Sequence, residues 1–76
     1  MEEQYLLENQ IRDTLRKYMD DEGIVYSDVA KKLGTSRGSF SMFLASRNQT
    51  IKLDRIKRIC DAIGLEFKIV FTQRKE

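Results

Sequence analysis

Apolar residues recur along the first part of the chain in steps of four, four, three and one, at Leu7, Ile11, Leu15, Tyr18 and Met19. That spacing places them on one side of a 3.6-residue turn and predicts a helix over residues 3–21. Glu2 and Glu3 favour its N-terminal end, and Gly23 is placed to close it. Ile24, Val25 and Tyr26 form a short connection with apolar anchors. A second helix is expected over 27–33, capped by Ser27 or a neighbour and stopped at Gly34. Thr35 and Ser36 make the turn. Ser36 is a favourable N-cap for a third helix over 37–45, whose Phe40, Phe43 and Leu44 stand at i, i+3 and i+4. The polar run ASRNQTIK at 45–52 reads as a loop, and a fourth helix over 53–63 carries Leu53, Ile56, Ile59, Cys60 and Ile63 up to Gly64.

The period then changes from 3.6 to 2. Leu65, Phe67, Ile69 and Phe71 alternate with Glu66, Lys68, Val70 and Thr72, and this β-branched and aromatic run predicts a strand over 65–72. No other segment reads as a strand to pair with it. A lone apolar edge leaves backbone groups unpaired and invites association. The economical solution is a second copy of the chain, the two strands pairing antiparallel across a two-fold axis with Leu65, Phe67, Ile69 and Phe71 at the interface. The alternatives are pairing with residues 24–26 or packing of the segment by itself. The fold class expected is therefore mainly α, four helices in one domain over residues 1–76, with a C-terminal strand shared across a dimer. Gln73–Glu76 reads as a polar tail.

Composition narrows what such a domain can do. A chain of 76 residues buries only about 60% of the surface its unfolded form exposes, so its core is marginal without support. Cys60 is the only cysteine and there is no histidine, which excludes an internal disulfide, the usual zinc spacings and a histidine base. Cys60 itself falls on the apolar stripe of the fourth helix and reads as a buried, inert thiol. No apolar run reaches the ~20 residues of a membrane span. The acidic start, Met1–Tyr18, lacks the basic region of a signal peptide, so a reducing, cytoplasmic setting is expected. No glycine loop for phosphate and no nucleophile with a base is present. An enzyme is not expected, nor is any cofactor.

Charge is unevenly placed. Residues 1–28 hold three bases against eight acids, −5, and residues 29–76 hold eleven bases against four acids, +7. A basic second part suits a polyanion partner, although a charge run is also the ordinary sign of a solvated face.

The stretch DVAKKLGTSRGSFSMF, residues 28–43, meets several demands of a helix-turn-helix together. A small residue is needed where the two helices touch, and Ala30 is there. The turn needs a residue tolerant of positive φ, and Gly34 stands four positions later. Phe40 and Phe43, ten and thirteen residues after Ala30, can hold the second helix of the pair to the core, with Val29 and Leu33 on the buried side.

On these residues the chain resembles the lambda-repressor-like, Cro-like helix-turn-helix family of bacterial and phage regulators. The matching run is Val29–Arg37 with Phe40 and Ser41, followed by the helix Leu53–Ile63 and its Ala62-Ile63-Gly64 ending. The resemblance covers about residues 10–65, and the trailing strand is similar to the ends of some small members, antitoxins among them. Two departures stand out. Tyr26 occupies a place where the family often has Gln, and Ala45-Ser46-Arg47 replaces the glycine that often follows the third helix.

The resemblance implies a recognition helix in the major groove with its N-terminal residues at base edges. Gly38, Ser39 and Ser41 would make its leading side slim enough for a groove about 12 Å wide. Gly38 reads equally as a residue merely tolerated in a first turn. Arg37 is the foremost base-contact candidate, since its fork matches guanine O6 and N7; contact with phosphate or solvent is the alternative. Met42 would meet a thymine methyl or else pack on the following loop. Tyr26, Ser36, Arg47, Asn48 and Lys52 are the candidates for phosphate contacts that position the helix. The function implied is sequence-specific binding of double-stranded DNA by a homodimeric transcriptional regulator, a repressor by preference. Its operator would be near-palindromic and its location the nucleoid of a prokaryote. The alternative is an antitoxin that binds a partner toxin as well as its own operator.

Overall fold

A computed structural model describes residues 2–74, with side chains from Gln4 onward. A single 3₁₀ turn, Glu2–Tyr5, leads into α1, Leu6–Glu22, followed by α2, Tyr26–Leu33, α3, Arg37–Ala45, and α4, Leu53–Ile63. The four expected helices are all present. The first differs from the expected 3–21 by its 3₁₀ start and by one residue at its end. The proposed roles of the Glu2 and Glu3 side chains, and the last two residues of the polar tail, lie outside the described residues.

Helix stops follow from the backbone. At Gly34, φ is +75°, the left-handed region that only glycine occupies without strain. The Thr35 amide donates to the Ala30 carbonyl at 2.9 Å and the Gly34 amide to the Lys31 carbonyl at 3.1 Å, which satisfies two carbonyls at the end of α2 and turns the chain toward α3. Gly23 and Gly64 end α1 and α4 in the same left-handed conformation. The expected cap on α2 is corrected: Val25, with extended backbone, precedes the helix, no side chain caps it, and Ser27 lies inside the first turn.

Leu15 and Met19 of α1, Val29 and Ala30 of α2, Phe40 and Leu44 of α3, and Ile56, Ile59, Cys60 and Ile63 of α4 form the core. Helix α2 packs on both α3 and α4, and α1 packs on α3. Ala30, 1% exposed, sits where a larger side chain would hold the helices apart. Leu7 departs from the apolar stripe expected of α1, being 71% exposed, while Arg12 is buried among the stripe residues.

No strand forms among the described residues. Residues 65–72 carry no regular hydrogen-bonding pattern, and no backbone bond ties them to 24–26. A strand exists only by pairing, and among the described residues none offers this segment an edge. Leu65 and Phe67 pack against the core, while Ile69 and Phe71 stand in solvent, Phe71 at 90% exposure. Among the described residues no helix is long and apolar enough to cross a membrane.

Candidate nucleic-acid interface

Helix α3 opens on Ser36, whose backbone is extended and whose Oγ accepts from the Ser39 amide at 3.1 Å. This bond occupies one of the amides that a helix start leaves without a partner. Phe40 and Leu44 turn inward and are fully buried, so the helix is held by its far side. Arg37, Gly38, Ser39 and Met42 are exposed and Ser41 is half-buried. Sequence and structure thus bring these five to the same short helix, and Met42 extends into solvent rather than onto the loop. A Cβ added at Gly38 would meet nothing within 4 Å, so the folded chain itself does not require glycine there.

Tyr26 begins α2 and is half-buried, its ring edge-on to Phe40 with centroids 5.7 Å apart at 79°. That contact locks the start of α2 to the inner side of α3. Ser36 and Tyr26 therefore lie at the starts of the two helices of the motif, where backbone N–H groups and the helix dipoles favour anions.

The loop after α3 is less uniform. Lys52 is exposed and precedes α4, which no side chain caps. Asn48 is exposed with φ +61°. Arg47 is not a free cation: its Nη2 pairs with Asp13 of α1, and its Nη1 donates to the Asn9 carbonyl at 3.4 Å. Thr35, Lys52, Asp54, Arg55 and Arg58 line a cleft of about 350 Å³ beside the turn between α2 and α3. Three cations against one carboxylate continue the basic character of the chain's second part around this turn.

Two arginines that the sequence pattern did not single out converge on Phe43. Arg55 lies 4.3 Å from the ring centroid and Arg12 5.4 Å from it, both within cation–π range. Arg12 is 1% exposed; burial, followed by the neighbouring Arg47 cation, lowers its pKa, while Glu8 raises it. The one signal for Arg12 was its place at i, i+3 and i+7 with Leu15 and Met19. Cys60 is buried as expected, and desolvation pushes its thiol up, helped by Asp61 and opposed by Lys57. Among the described residues no group of His, Cys, Asp or Glu side chains is arranged to hold a metal ion.

No curated protein and no solved structure matches the chain. The family described as the Cro/C1-type HTH DNA-binding domain matches it over residues 14–68, which takes in the C-terminal half of α1, the α2–turn–α3 unit, the loop and α4. Its members are typically non-enzymatic. With most of its length matched, and with two helices joined through a glycine turn that leaves an open polar helix face, this chain belongs to the Cro/C1-type helix-turn-helix DNA-binding family and is a DNA-binding regulator of transcription.

Proposed function

We propose that the chain is a sequence-specific repressor that binds a near-palindromic operator as a homodimer. The observation that carries the sequence-reading part is α3 itself, capped by Ser36, anchored by Phe40 and Leu44, and open along Arg37, Gly38, Ser39 and Met42. Arg37 reads a guanine through O6 and N7, Met42 meets a thymine methyl, and Ser39 and Ser41 fill the groove at low bulk. Tyr26, Ser36, Asn48 and Lys52 contact phosphates. Arg47 joins them by leaving Asp13, or stays on Asp13 and holds the loop.

Dimerisation is supported by the C-terminal segment. Ile69, Val70 and Phe71 are exposed beside the packed Leu65 and Phe67, an apolar run that a second copy would cover by completing a two-stranded pair. Two recognition helices related by a two-fold axis then meet half-sites about one helical turn, ~34 Å, apart. Occupancy alone blocks transcription.

Selection of binding sites from random duplexes at about 150 mM salt tests this, because non-specific phosphate binding falls steeply with salt. An enriched inverted repeat is expected. An enriched single half-site would remove the dimer geometry. No enrichment from folded protein would shift the function to a protein partner such as a toxin.

A further inference from the structure

The loop that follows α3 is fastened to α1 from three directions. Asn9 Oδ1 accepts from the Asn48 amide and from Arg12 Nη1, both at 3.2 Å. Arg12 Nη2 donates to the Gln49 carbonyl at 2.8 Å. Asp13 holds Arg47. Beneath them, the Arg12 guanidinium lies against the Phe43 ring near the end of α3. Residues 9–13 and 47–49 are more than thirty positions apart in sequence.

Arg12 is a costly way to fill its place. Its hydrogen-bond acceptors are neutral, an amide oxygen and a backbone carbonyl, and its Nε is buried without a partner. A buried cation hydrogen-bonded only to neutral acceptors, with Glu8 acting on it at a distance and Arg47 opposing, normally destabilises, and an apolar chain of similar length would pack there more cheaply. What an apolar chain cannot do is bind the Gln49 carbonyl. Asn48, meanwhile, sits at φ +61°, uncommon for a residue with a side chain, and its amide is held there by Asn9.

We propose that Arg12, together with Asn9, is a positioning residue for DNA binding: it pins the 46–52 loop to α1 and to α3 so that Asn48 and Lys52 reach the phosphates already ordered. The proposal rests on the DNA-contact reading of that loop. A loop fixed in the free protein loses less conformational freedom on binding, so the contact is tighter for the same hydrogen bonds.

The test uses the full chain with Arg12→Met, which keeps apolar bulk, and Asn9→Ala, which removes the shared acceptor from a half-buried position. Three quantities are read: Tm, hydrogen exchange of the Asn48 amide without DNA, and affinity for the selected duplex across a salt series. Arg12→Met is expected to melt at or above the wild-type temperature. In both variants the Asn48 amide exchanges at least ~10-fold faster and DNA binds roughly 10-fold more weakly, with a log–log salt slope shallower by about 1.

An affinity loss no larger than the unfolded fraction explains would overturn the proposal and leave Arg12 as a core residue. Full affinity despite faster exchange would overturn it too, as would unchanged exchange in Asn9→Ala. That last variant decides the matter if Arg12→Met does not fold. Absence of selective duplex binding by the wild type would remove this proposal together with the reading beneath it. The exchange data, taken without DNA, tell that failure from the absence of a clasp.

Discussion

Two substitutions at Ser36 separate the two roles assigned to one hydroxyl. In the folded chain Oγ accepts from the Ser39 amide at 3.1 Å, and on DNA the same group is proposed to face a phosphate. Loss of an N-cap acceptor costs about 1 kcal/mol. In a domain of this size 1 kcal/mol moves Tm by roughly 4–8 °C, which is the drop expected for Ser36→Ala. Ser36→Asp retains an acceptor and adds an anion at the helix N-terminus, worth about 0.3–1 kcal/mol, so it melts at or above the wild type. On DNA the order inverts. A carboxylate has no proton to donate, and two unit charges 4 Å apart repel by about 1 kcal/mol in water and about 4 kcal/mol at an effective dielectric of 20. Ser36→Asp is therefore expected to lose between about fivefold and nearly a thousandfold in affinity, more than Ser36→Ala. Circular-dichroism melts and fluorescence anisotropy on the selected duplex at about 150 mM salt read both quantities. Wild-type affinity in Ser36→Asp would refute the phosphate contact. A Tm drop in Ser36→Asp as large as in Ser36→Ala would refute the cap.

Arg37→Ala should weaken specific binding by about 1–3 kcal/mol and relax preference at one base pair; equal loss on every sequence would make it a phosphate contact. Ile69→Asp and Phe71→Asp should yield monomers by light scattering with little change in Tm at low concentration, because both side chains are exposed in the single chain; an unchanged dimer mass would refute strand pairing. Phe67→Asp is a poorer probe, since Phe67 packs on the core and its loss unfolds as well as dissociates. Burial raises the Cys60 thiol, so whatever stability the neutral thiol contributes is complete below the ordinary thiol pKa, about 8.5, and fades as pH rises through the higher folded value. Cys60→Ala should lose that part of the alkaline decline in Tm, and an identical decline in both chains would count against it.

The sequence by itself determined the four helices, because their causes are local. A stripe at 3.6-residue spacing, a serine before α3 and a glycine at each left-handed stop act within a few residues of themselves. The helix-turn-helix was legible for the same reason: Ala30, Gly34, Phe40 and Phe43 all lie within one short stretch. Which α3 side chains face outward followed largely from the same period, while the choice for Met42 between solvent and the following loop was made by the structure.

Only the tertiary structure decided the rest. Arg12 shares the spacing of Leu15 and Met19, but only Gln49, 37 positions away, supplies the carbonyl that lets a cation be buried there. Arg47 reads as a free phosphate ligand until Asp13 is brought beside it. Leu7 belongs to the stripe by spacing yet lies where no neighbouring element covers it. Residues 65–72 have the alternation of a strand, but a strand requires a second edge and none is supplied among the described residues. Burial and pairing depend on what the folded chain places opposite a residue, and period and local propensity carry no information about that.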